Sequence, residues 1–194
     1  MTATFDLAPG MLLAAPSLRD PNFAHGVVLL GRSDGNGTLG WVINGKELMS
    51  VRELLLSTGL VPQGTVLPEL PAFYFPVRLG GPVAQSSGWM VYRRESAPLP
   101  GEIAVGPSLA VSGEMAAFNT IVEGRGPKDF RMLLGCAGWA PGQLESEISE
   151  GSWLPTKVEA DLIMDAPLAD VWDRAYHLTV GIDPAAFSSH RGRA

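Results

Sequence analysis

A chain of 194 residues, 46% hydrophobic and 18% charged, is long enough for one ordinary globular domain and too apolar to stay disordered. A net charge of −6 argues against phosphate backbones as the main partner, because affinity for them is mostly electrostatic. One cysteine, Cys136, rules out an internal disulfide and a multi-cysteine zinc site and fits a reducing cytoplasm.

The first strand is expected at Met11–Ala15. The apolar stretch Met11–Pro16 is too short for a secretory core, and Asp6 rather than Lys or Arg precedes it. Strands follow at Val27–Gly31 and Thr38–Asn44. Between them Asp34-Gly-Asn-Gly37 signals a hairpin, since Gly and Asn tolerate positive φ. Ser50-Val-Arg-Glu53 is a capping box that opens a helix through Leu54–Leu56. The Pro/Gly-rich stretch Val61–Pro71 reads as a loop inside the domain. Strands are then expected at Phe73–Leu79, Gly88–Arg93 and Ile103–Val105. A helix over Glu114–Glu123 puts Met115, Phe118 and Val122 on one face.

Gly135-Cys-Ala-Gly-Trp-Ala-Pro-Gly-Gln-Leu-Glu-Ser-Glu-Ile148 is the most informative stretch. It follows a strand over Phe130–Gly135, and Gly135 and Gly138 predict a tight turn. Pro141 suits a helix start, and a helix is expected over Gln143–Glu150 with Leu144 and Ile148 on one face. Glu145 and Glu147 favour the positive end of its dipole, and Gly151 stops it. A last strand is expected at Asp161–Met164. A helix over Pro167–Val180 follows, with Leu168, Val171, Trp172 and Ala175 on its apolar face. No apolar run approaches the ~20 residues that span a bilayer. Strands outnumber helices without alternating with them, which predicts an α+β fold. One domain over residues 1–187 with a disordered tail over 188–194 completes the organisation.

Several residues invite a chemical reading, and each has a plainer one beside it. Cys136 follows a strand beside two glycines, where a thiol could be activated. A free Cys is more often a small buried apolar residue. Catalysis also needs a base, and nothing in the sequence places His25, His177 or His190 beside the thiol. These histidines have no metal-ligand spacing, so no metal or other cofactor is expected. In Leu79-Gly-Gly-Pro82, Gly80 and Gly81 allow close approach of a ligand or of another backbone segment, and a β-bulge is the favoured reading. Asn44 before Gly45 is a turn residue or a ligand-reading amide. Trp139 and Gln143 form one wall of a small-molecule pocket, or plug a corner and cap a helix. The ligand-binding set drawn from these is Asn44, Gly80, Gly81, Cys136, Trp139 and Gln143.

The stretch 135–148 resembles the signature of the AlgH/YqgE family of bacterial proteins. Gly10-Met-Leu-Leu-Ala-Ala-Pro-Ser-Leu-Arg-Asp-Pro-Asn-Phe23, Val27-Val-Leu-Leu30 with Gly37-Thr-Leu-Gly-Trp-Val-Ile-Asn44, Leu79-Gly-Gly-Pro-Val83 and Ile182-Asp-Pro184 are similar to its other blocks, in the same order. The resemblance implies a bent, branching, mostly antiparallel sheet forming a partial barrel, with about four helices packed outside. It brings a transcriptional-regulator label but no reaction. This chain resembles a divergent member of that family. Relatives usually carry a His within the segment matching Arg32–Asp34, an Arg-Gly pair at Ser87-Gly88, often a His at Tyr92, and Asn-Arg-Pro or Asn-Lys-Pro at Asn44-Gly45-Lys46. They commonly carry Tyr at Cys136 and often Arg at His25. The framework of Gly, Pro and apolar residues is kept while most titratable groups are gone.

Three functions compete. The first is a non-enzymatic cytoplasmic regulatory or interaction protein that acts through a protein partner or a small ligand. The thin surface charge also fits a homo-oligomer, and no membrane association is expected. The second is a Cys136-centred thiol sensor or small-molecule enzyme. The third is a DNA-binding transcriptional regulator. The basic residues are scattered, with Arg93-Arg94 the only adjacent pair and Arg191 and Arg193 near the C-terminus, so direct nucleic-acid binding is not expected.

Overall fold

In the computed structural model, residues 7–61, 67, 69–94 and 98–181 are described. His190, the block Ile182-Asp-Pro184 and the expected tail lie outside them. Ten strands and five α-helices occur among the described residues. β1 (Gly10–Ala14), β2 (Val27–Asp34) and β3 (Gly37–Val42) form an antiparallel run, with the expected hairpin turn at Gly35-Asn36. There the Asp34 Oδ1 accepts from the Asn36 N–H at 2.7 Å. β4 (Glu47–Ser50) leads into α1 (Val51–Ser57), where Ser50 and Glu53 close the capping box in both directions. A single 3₁₀ turn (Pro71–Tyr74) precedes β5 (Pro76–Leu79), and β6 (Val83–Arg93), β7 (Ile103–Ala104) and β8 (Leu109–Ser112) follow. After α2 (Met115–Val122) come β9 (Phe130–Trp139), α3 (Gln143–Ser149), β10 (Trp153–Thr156), α4 (Ala160–Asp165) and α5 (Val171–Val180).

The strands run β10-β1-β2-β3-β9-β6-β8-β7, and β5 branches off β9 carrying β4 on its other side. All pairings are antiparallel except β5 with β9. The fold is α+β, with a bent, branched sheet that does not close. One apolar core lies between the sheet and α4 and α5, centred on Trp41, Leu133, Ile163 and Trp172. A second lies under α1 and α2 around Phe73, Tyr92 and Phe118. A third joins Leu12, Leu30, Trp139, Leu144 and Trp153.

The structure corrects several sequence-based boundaries. Asp161–Met164 is helical, not a strand. A short apolar run has no period to separate the two, and Leu162, Ile163 and Met164 are all buried. Tertiary contacts select the helix. Arg93 Nη2 reaches Asp161 at 3.0 Å and Asp165 at 2.7 Å, while Arg131 donates to the Ile163 and Met164 carbonyls at 3.3 and 2.6 Å. Two guanidinium groups on neighbouring strands therefore hold α4, one of them at the carbonyl end where a cation suits the dipole. β4, β8 and β10 were not expected from the sequence. They are four residues each, and β10 contains Pro155, tolerated because it lies on an edge strand. On α2 the buried face is Ala117, Phe118 and Ile121, whereas Met115 is exposed. The turn at 71–74 shortens the expected strand 73–79, and α5 begins at Val171 rather than Pro167.

Candidate functional site

The expected turn after Leu134 is absent. β9 runs on to Trp139, because Gly135 takes φ +78° and kinks the strand without ending it. On one side of this kink β9 pairs with β5 at Met132–Leu134. On the other side it pairs with β3 at Ala137–Trp139. The reversal comes later, at Ala140–Gly142, where Gly142 has φ +77° and the Gln143 N–H donates to the Ala140 carbonyl at 3.0 Å.

Gly80 and Gly81 are seated against this kink. The Gly80 N–H donates to the Leu134 carbonyl at 2.7 Å, and its own carbonyl accepts from Val42 at 2.8 Å, so Gly80 bridges β9 and β3. A Cβ on Gly80 would lie 2.5 Å from the Gly135 carbonyl oxygen, and one on Gly81 would overlap the Cys136 carbonyl. Gly81 also holds φ +149°. Gly45 stands over the Leu79 carbonyl with no room for a Cβ. The glycines serve approach of backbone to backbone. β6 accommodates the kink as well: its register with β9 jumps between Val83–Cys136 and Gly88–Leu134, and Ala84 adopts φ 47°.

Cys136 sits at this three-way junction, 6% exposed and part of the core under α4 and α5. Burial pushes its thiol above the ordinary range, which favours the neutral, unreactive form. Asn44 spends its side chain on the neighbouring turn: its Oδ1 accepts from the Val27 N–H and its Nδ2 donates to the His25 carbonyl, both at 2.8 Å. His25 is exposed at φ 55°, and its ring packs edge-on against Trp172 at 4.5 Å. His177 lies on the last turn of α5. Among the described residues no group of three or more His, Cys, Asp or Glu is placed to hold a metal ion.

Trp139 and Gln143 belong to a different knot, at the far end of β9. Glu147 organises it. Its Oε2 accepts from both the Trp139 and Trp153 indoles, at 3.0 and 2.8 Å, and its Oε1 accepts from Gln143 Nε2 at 2.9 Å. The Gln143 Oε1 accepts from the Ala140 N–H at 3.0 Å. Phe23 packs on both indoles, at 6.1 and 5.4 Å. Glu147 was read from the sequence only as a helix-dipole residue, although its i, i+4 spacing from Gln143 is legible there.

Two further polar clusters went unforeseen. Tyr92 donates to Glu102 Oε2 and Arg94 Nε to Glu102 Oε1, both at 2.9 Å, and burial with this bond pushes the phenol well above its usual range. Arg131, beside α4, is held below the usual guanidinium range by burial and by the charge of Arg78. An open cleft of about 590 Å³ lies between α4 and α5, and another of about 430 Å³ lies beside Tyr92, Pro100 and Thr120. Neither is lined by the junction or the Glu147 knot.

A sequence profile of AlgH-like proteins matches residues 11–185. The chain belongs to the AlgH-like family. A UPF0301 protein of Anaeromyxobacter dehalogenans is 38% identical over 184 residues, 93% of this chain and 91% of that protein. One from Xylella fastidiosa is 34% identical and covers 98% of both chains. The solution structure of AlgH from Pseudomonas aeruginosa superposes with a TM-score of 0.75 at 28% identity, covering 100% of this chain and 98% of that one. A Corynebacterium diphtheriae protein shares the fold at a TM-score of 0.66 and 24% identity, over 88% and 86% of the two chains. Membership agrees with the branched sheet, and the glycine-rich blocks that carry the resemblance are those that meet at the β9 kink.

Proposed function

We propose that this AlgH-like protein is a non-enzymatic regulatory or interaction protein that works in the cytoplasm through a protein partner or a small ligand. The observation that carries this reading is the pairing inside the expected ligand-binding set. The amides of Asn44 and Gln143 and the indole of Trp139 are bonded within the chain, and Cys136 is buried with a neutral thiol. Acid–base or nucleophilic chemistry needs groups that are free to reach a substrate and matched in pKa to the task. The location is supported by the lone cysteine and by the lack, among the described residues, of any helix long and apolar enough to cross a membrane. The net charge of −6 supports partners other than DNA.

The test is complementation. In a bacterium lacking its own copy, a Cys136→Ala chain produced at the wild-type level should restore every phenotype that the wild-type chain restores. A stably folded Cys136→Ala chain that fails to complement would move the assignment to the thiol sensor or enzyme.

A further inference from the structure

The cleft of about 430 Å³ beside Tyr92 is large enough for a small molecule, and the chain around it is braced so that it does not collapse. One wall is the loop 98–102. The Glu102 N–H donates to the Leu99 carbonyl at 3.1 Å, which closes a turn with Gly101 at φ +66°. Three ties hold this turn. The fully buried Ser112 hydroxyl donates to the Pro100 carbonyl at 2.6 Å. The Glu102 carboxylate accepts from Tyr92 and from Arg94, both at 2.9 Å. At its tip, a Cβ on Gly101 would lie 2.0 Å from the Cγ of Glu114, the residue that caps α2. The opposite wall is α2 itself and the segment that follows it. A hollow already formed in this way asks little ordering of the protein when a ligand enters.

The lining is apolar inside and cationic at the mouth. Leu99, Pro100 and Pro127 give flat hydrocarbon surface, and the prolines have no N–H to offer. Tyr92, almost wholly buried, forms the floor, and its hydroxyl proton is committed to Glu102. Thr120 gives its own proton to the Ala117 carbonyl at 2.6 Å. Arg125 is the one charged side chain of the lining and stands at the rim, 70% exposed. It pairs there with Glu123. An exposed pair of this kind contributes little, and a guanidinium has five donors, so Arg125 can take a second carboxylate.

We propose that this cleft binds a small carboxylic acid with a flat apolar body. The body lies over Tyr92 between the loop 98–102 and Pro127, and the carboxylate meets Arg125 at the mouth. A rim cation over an apolar interior selects a ligand with one charged end, the common pattern of small-molecule sites in which a few polar groups fix orientation. The site deepens the small-ligand reading of the proposed function and rests on it.

Titration of the full ¹⁵N-labelled chain with 2-naphthoate tests the site, with 2-naphthylmethanol as the neutral analogue. The Leu99, Thr120 and Arg125 amide shifts should saturate together, with a Kd of about 1 mM or tighter for a ligand of this size. The alcohol should bind about fivefold more weakly or worse, and Arg125→Gln should weaken the acid by a similar factor while leaving the alcohol unchanged. Ala116→Trp, at an exposed position of α2 that lines the cleft, should abolish binding of both by filling it. Shifts that stay linear with concentration or cluster elsewhere would overturn the site. Equal affinity for acid and alcohol would overturn the ligand class, and that comparison needs only the wild-type chain. Neither result would alter complementation by Cys136→Ala, so this site and the non-enzymatic reading fail separately.

Discussion

At the scale of single residues, the groups that look chemical in the sequence turn inward. Glu147 shows this best. It takes two indole protons and one amide proton, so α3, β9 and β10 meet on a single carboxylate. Its removal leaves two nearly buried indole donors without their acceptor, each worth about 1–3 kcal/mol. Glu147→Ala should therefore destabilise by about 2–4 kcal/mol in chemical denaturation. It should also shift the Trp139 and Trp153 indole resonances while leaving Trp172 in place. Unchanged indole shifts would mean that solvent already satisfies these protons. The junction glycines carry a different constraint. Gly80 and Gly81 were legible as places of close approach, and the partner is backbone: Gly135 and Cys136 fill the space that a ligand would need.

At the scale of elements, α5 shows how an amphipathic pattern becomes a tertiary lock. Val171, Trp172 and Ala175 are buried as their spacing predicts, and Leu168 just before the helix is buried with them. Trp172 adds what no pattern contains, a hydrogen bond to Ala14 across 158 positions of sequence and a ring contact with His25. Trp172→Ala should cost about 3–5 kcal/mol, the range for large aromatic truncations in cores. A loss below about 1 kcal/mol would show that α5 is peripheral. α2, α3 and α5 and the capping box before α1 were readable because local chemistry decides them. α4 was not, because Leu162-Ile163-Met164 carries no period and its helical state is chosen by Arg93 and Arg131, far away in sequence. β4, β8 and β10 were missed for a related reason: strands of four residues are defined by their partners more than by their own alternation.

At the scale of the whole molecule, the family was legible in glycine and proline blocks whose role emerges only when they meet. Asn44-Gly45, Gly80-Gly81 and Gly135-Cys136 lie far apart in sequence and close at the β9 kink, where one strand passes from β5 to β3. The reading of Gly135 and Gly138 as a tight turn failed because a positive φ at Gly135 serves a kink as well as a turn. Electrostatics at this scale give a clear expectation. A protein of net charge −6 whose basic residues are scattered along the sequence releases few counterions, so binding to duplex DNA should be weak and non-specific. A sub-micromolar complex in ~0.15 M salt that weakens steeply with added salt would contradict this. The central claim is that the glycine-lined junction around Cys136 is framework rather than a reactive centre. Native-state alkylation of Cys136 tests it most directly. With the folded pKa raised by burial, the thiol stays protonated through the unfolded value of about 8.5. The native stability that this provides is full below that pH and is lost as pH rises towards the folded pKa. Labelling at pH 7 should be at least tenfold slower than in the unfolded chain, and it should accelerate only with global unfolding. Labelling of the folded protein as fast as the unfolded control, with a thiol pKa below 8.5, would contradict the account.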